Sequence, residues 1–144
     1  MKVLVIHGAG MNMRGKAQRE VFGDLTLAQY TERITRDAHA LGISVRFFHS
    51  NIEGEVCNAL YAAAEDGTQG CVMNPADFMG STGPLRKAIA RLPFPVIELH
   101  TTNPAVRGSH SELQGVCRAT ICGFGLEGYR LALSGLASMI PAKA

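Results

Sequence analysis

The chain has 144 residues, of which 47% are hydrophobic and 18% charged, with a formal net charge of +2. A chain of this length buries roughly two-thirds of its unfolded surface without staples, so one domain spanning residues 1–144 is expected. The small, scattered positive charge excludes a nucleic-acid footprint, and "MKVLVIHGAG" is broken at His7 and Gly8 too early for a membrane span or signal peptide, so a cytoplasmic protein is expected.

The chain opens on an apolar, β-branched run, "KVLVIH", the first strand candidate. The loop after it, "GAGMNMRG", lacks the third glycine of a dinucleotide fingerprint. Its flexible Gly8, Gly10 and Gly15 and its cations Arg14, Lys16 and Arg19 suit a mobile lid over an anionic ligand, the alternative being a solvated surface loop. Asn12 and Arg19 are the lid's candidate ligand contacts.

Leu27, Tyr30, Ile34, Ala38 and Leu41 then recur at helical steps, with Gly42 as the C-terminal cap. "SVRFFHS" is the second strand. "HSNIEGE" places Ser50, Asn51 and Glu53 where the next helix, "EGEVCNALYAAAEDG", begins, so Ser50 or Asn51 is expected to cap it. After the third strand, "GCVMN", come Asn74, Asp77 in a turn, and Ser81 or Thr82 as the expected cap of "STGPLRKAIARL". The fourth strand, "FPVIELH", delivers Glu98 and His100 and is followed by Thr101 and Thr102; "ATICGFG" and "LEGYRLALSGLASMI" are the last strand and helix.

Strands alternating with helices of this length give parallel strands joined by right-handed crossovers, hence a flavodoxin-like three-layer α/β sandwich with a five-stranded parallel sheet. Ligands in such sheets bind beyond the carboxyl ends of the strands, which singles out His7 to Gly23, Ser50 to Glu55, Asn74 to Thr82 and His100 to His110. His100, with Glu98, Asn74 and Ser50 arriving at the same sheet edge, is the first candidate for acid–base chemistry. Cys57, Cys71, Cys117 and Cys122 have no metal-binding spacing and read as core residues.

"VLVIHGAGMNMRGKAQREVFGDLTL", "SNIEGEV", "NPADFMGSTGPLRKA", "PVIELHTTNPAVR" and "GFGLEGYRLAL" resemble, in order and spacing, the segments of the type II 3-dehydroquinate dehydratases. The resemblance implies trimers assembled into a dodecamer, a small-molecule substrate, no cofactor and no metal. It also implies an enolate mechanism with a lid tyrosine as base, a lid arginine beside it and a histidine after the fourth strand as acid. On that pattern Asn74 serves the enolate side, His100 is the acid with Glu98 beside it, Thr101 and Thr102 hold the substrate carboxylate, and Arg107 is a carboxylate-side arginine.

The same pattern sets Phe22 at the tyrosine, Ala17 at the arginine, His7 and Gly10 at two lid asparagines, Gly80 at a histidine and Lys87 at an intersubunit acid. A phenyl ring cannot take a proton. The favoured reading is therefore acid–base chemistry on a small polar or carboxylate-bearing substrate, with Asp77 and His100 as the first pair and His7 next. Two alternatives stand beside it. One is a genuine 3-dehydroquinate dehydratase with a substitute base such as Glu20 or Tyr30, and the other is a ligand-binding homologue without turnover.

Overall fold

The computed structural model describes residues 1–141. Strands β1 (Lys2–Ala9), β2 (Ser44–His49), β3 (Gly70–Ala76), β4 (Val96–His100) and β5 (Ala119–Cys122) form one sheet in the order β2-β1-β3-β4-β5. Every neighbouring pair is parallel. Helices α1 (Arg19–Phe22), α2 (Leu27–Ala40), α3 (Glu53–Glu65), α4 (Pro84–Ala90) and α5 (Glu127–Met139) supply the connections. The five-stranded parallel α/β sandwich expected from the sequence is the one observed.

The strand runs read as continuously apolar because both faces of the sheet are covered. Val3 and Val5 join Tyr30, Ile34, Tyr129 and Leu133 in the core under α2 and α5. Leu4 and Ile6 join Val56, Leu60, Leu85 and Ile89 under α3 and α4. This two-residue alternation fixes where the later residues of each strand go. It sends His7 to the α5 side with Val3 and Val5. On β4 it divides Ile97 and Leu99, on the α5 side, from Val96, on the α4 side.

Helix ends differ in part from what the sequence suggests. Helix α2 begins at a Thr26–Gln29 capping box and is followed by Gly42 at φ 70°, the left-handed residue expected there. Helix α4 is not capped by Ser81 or Thr82; Gly83 precedes Pro84 at the first helical position, where a missing N–H costs nothing. Nor do Ser50 and Asn51 cap α3, whose cap residue is Ile52. Ser50 Oγ instead accepts from Ile52 N at 2.9 Å and donates to Glu55 at 2.6 Å. The Asn51 side chain accepts from Gly10 N at 2.9 Å, tying the opening loop to the start of α3.

That loop is more structured than a run of glycines suggests. A single 3-10 turn at Met11–Met13 drives Met11 into complete burial, and α1 follows. Cys57 and Cys71 are buried, and all four cysteines are free thiols. No described helix is long and apolar enough to cross a membrane.

Candidate active site

A cavity of about 340 Å³ opens beyond the carboxyl ends of β1, β3 and β4. Arg14 and Phe22 reach it from the opening loop, Asn74 and Asp77 from the end of β3, and His100, Thr101, Thr102 and Arg107 from the end of β4. Three of the four segments singled out in the sequence therefore converge. The fourth supports them from behind, because Ser50 does not line the cavity and is spent on the α3 entry.

Asp77 sits on the turn after β3. Asn74 Oδ1 accepts from Ala76 N at 3.2 Å, and Ala76 takes φ 49°, a sparsely populated backbone state for a residue with a Cβ. The Asp77 carboxylate then lies against the lid: a Cβ on Gly10 would meet its Oδ2 at 2.9 Å. Asp77 is exposed to the cavity side and makes no ion pair among the described residues.

His100 is 7% exposed, with Nε2 buried and 3.6 Å from Oε1 of the fully buried Glu98. The Ser111 hydroxyl donates to the same carboxylate oxygen and itself accepts from Leu113 N at 3.1 Å. That carboxylate stands near the buried ring nitrogen without a hydrogen bond to it, since Nε2 has no partner among the described residues. Glu98 thus stands behind His100 and does not line the cavity. Ser111 lies one residue beyond the segment singled out in the sequence, and nothing in "GSHSEL" marks it.

The expected pairing of His7 with His100 fails. His7 is 1% exposed and lines no part of the cavity. Its ring is packed edge-on against Tyr30 and Tyr129 and stacked on Phe47. Burial, with His49 and Arg14 nearby, pushes its pKa down to about 3, so the ring is neutral at ordinary pH. The Tyr129 hydroxyl donates to His7 Nε2 at 3.0 Å and accepts from Asn74 Nδ2 at 3.2 Å. Burial raises the proton affinity of that phenol, which keeps it a hydroxyl. Tyr129→Phe leaves two buried polar groups without partners, so a loss of about 1–3 kcal/mol is expected in urea unfolding.

The lid's cations separate sharply. Arg19 is exposed, pairs with Asp24 at 2.7 Å and does not line the cavity; Asn12 is likewise exposed and outside it. Arg14 takes the inner position. It is 8% exposed, its guanidinium carbon lies 3.8 Å from the Phe22 ring centroid, and its buried Nε has no partner. Arg107 stands 5.6 Å from the same ring and donates to Thr102 Oγ1 at 2.9 Å. Among the described residues, no three His, Cys, Asp or Glu side chains gather as a metal site would need.

Residues 1–137 match the family model for dehydroquinase class II. The chain belongs to the class II dehydroquinase family. It is 36% identical over 135 residues to the 3-dehydroquinate dehydratase of Stenotrophomonas maltophilia, covering 92% of each chain. It is 37% identical to that of Bordetella avium, covering 91% of this chain and 93% of that one. The type II dehydroquinase structure from Butyrivibrio crossotus superposes with a TM-score of 0.91 at 29% identity, over 95% of this chain and 97% of that one. A 3-dehydroquinate dehydratase-like protein from Bifidobacterium longum superposes at 0.75 with 27% identity, over 96% and 97%.

Within this dehydroquinase fold neither suggested stand-in base reaches the cavity. Glu20 is exposed on α1 and off the lining, and Tyr30 is 2% exposed in the core under α2. Asp77 is the one carboxylate on the lining. Gly80 and Lys87 are exposed and also lie outside it.

Proposed function

We propose that the protein is a lyase that eliminates water from 3-dehydroquinate, or from a closely related hydroxylated cyclic carboxylate, with Asp77 as base and His100 as acid. The observation that carries this reading is that Asp77 and His100 line one cavity together with Asn74, Thr101 and Thr102. The relatives named 3-dehydroquinate dehydratase favour this over the altered-substrate reading of the sequence. The Asp77 carboxylate takes the proton from the carbon beside the ketone and an enolate forms. The enolate collapses, the hydroxyl beyond leaves as water with the proton of His100, and an enone remains. Asp77 and His100 then return to their starting states by proton exchange with solvent.

The test is purified protein with 3-dehydroquinate, followed by the ultraviolet absorbance of the enone. Turnover is expected, with His100→Ala slower by roughly 10²–10⁴. Absence of product from the wild-type protein rejects the reading. Phe22 favours one competing reading, a ligand-holding homologue, because it gives the lid no group that can remove a proton. Calorimetric binding of 3-dehydroquinate without turnover would select it.

A further inference from the structure

We propose that Arg14 is a catalytic residue of this chain, whose guanidinium receives the negative charge that forms on the substrate's ketone oxygen when the neighbouring C–H proton is removed. The inference rests on the elimination reading above and adds the group that stabilises its intermediate.

Arg14 is a cation removed from water without an acid to match it. It is 8% exposed, its Nε is buried and unpartnered, and no carboxylate of the described residues stands within 4.0 Å of its guanidinium. A desolvated charge of this kind is costly unless something negative completes it. The Phe22 ring lies 3.8 Å from it, and the face of such a ring attracts a guanidinium without neutralising it.

The second cation tells which anion Arg14 waits for. Arg107 donates to Thr102 at 2.9 Å, beside the end of β4 where the resemblance to the family sets the substrate carboxylate. Both guanidiniums lie over the Phe22 ring, Arg14 at 3.8 Å and Arg107 at 5.6 Å from its centroid, but Arg107 is engaged by Thr102, which leaves Arg14 as the buried cation of the lining whose Nε has no partner. With Asp77 ionised and a carboxylate on the substrate, the cavity holds two negative groups against two guanidiniums. Breaking the C–H bond puts the proton on Asp77 and moves the electron pair through the new C=C bond onto the ketone oxygen. The second negative charge is then on the substrate, where Arg14 replaces the water that would otherwise stabilise it. When the pair returns to re-form the carbonyl, the hydroxyl departs with the proton from His100, and no electrons are gained or lost overall.

Kinetics on 3-dehydroquinate separate this role from simple binding. Arg14→Gln is expected to lower kcat by roughly 10²–10³ with KM changed only a few-fold, the usual cost of removing one oxyanion donor. Arg14→Lys should recover part of the rate, and Arg107→Gln should raise KM instead. A raised KM at unchanged kcat in Arg14→Gln overturns the proposal. Arg14→Met should also raise the thermal midpoint, since it removes an unmatched buried cation; a fall would mark Arg14 as structural and overturn it.

A second measurement does not depend on turnover. Oxalate, a planar dianion with negative oxygens at both ends, is titrated calorimetrically into the wild-type protein and Arg14→Gln, with acetate as the monoanion control. At least tenfold weaker oxalate binding with acetate nearly unchanged is expected. Equal oxalate affinity overturns the role of Arg14 even if the elimination stands, and a wild-type protein that binds oxalate through Arg14 without dehydrating 3-dehydroquinate rejects the elimination and with it the catalytic role, leaving Arg14 an anion-binding group.

Discussion

Asp77→Asn is expected to lower kcat on 3-dehydroquinate by up to about 10⁴ while leaving the fold intact. General-base catalysis contributes roughly 10²–10⁴, and Asn has nearly the same shape but cannot accept the proton. The fold should tolerate the change because Asp77 is exposed and in no ion pair among the described residues, and its turn is held by Asn74 through the Ala76 backbone. Glu20→Gln and Tyr30→Phe serve as controls, expected within about twofold of the wild-type rate because neither residue lines the cavity. A normal rate in Asp77→Asn with a fall in either control would move the base to the lid or to α2. Steady-state kinetics and a circular dichroism melt of each variant suffice to decide.

Acid should destabilise the protein through His7. The ring keeps a pKa of about 3 when folded, against the ordinary 6.5 of an exposed imidazole. Above pH 6.5 both folded and unfolded chains carry it neutral, and it gives no pH dependence. Between 6.5 and about 3 only the unfolded chain takes the proton, so stability falls as pH falls, by about 1.4 kcal/mol per unit. By pH 5 the loss from this one residue is about 2 kcal/mol. His7→Asn, which can still accept the Tyr129 hydroxyl, should flatten that slope. The check is the urea midpoint of both proteins at pH 7 and pH 5; equal losses would mean that His7 opens to water before it titrates.

The misplacement of His7 shows how much of the site the sequence carried. Strand positions, their parallel order and the end of the sheet where the cavity lies all follow from short apolar runs alternating with helical ones. Strand parity was legible too: counting by twos from Val3 puts His7 under α5, whereas the same count on β4 puts His100 with Val96. Read that way, His7 continues the row of Val3 and Val5 into the core under α5. Tyr129 had a comparable signal, since it shares a helical face with Ala132, Leu133 and Leu136, all buried. A tyrosine on the buried face of the first turn after a strand end must find a polar partner near that end.

The choice between Arg14 and Arg19 was not legible in this way. Both lie in the segment between β1 and α2, and what separates them is the tight turn at Met11–Met13 that buries Met11 and carries Arg14 inward, whereas Arg19 opens α1 on the surface. No periodicity announces a turn of three residues. The α4 cap differs for a local reason: Ser81 and Thr82 have the residue types of caps, yet Pro84 takes the first helical position and leaves Gly83 as the cap.

The close approach of Gly10 to Asp77 also sets how the carboxylate rests. A side chain at position 10 and a carboxylate at position 77 compete for one volume, because a Cβ on Gly10 would already stand 2.9 Å from Asp77 Oδ2. That oxygen is the free end of an exposed side chain, so Gly10→Ala is met by the carboxylate turning away and by backbone strain at φ 88°, and the bare α-carbon at position 10 is what lets Asp77 rest in this rotamer.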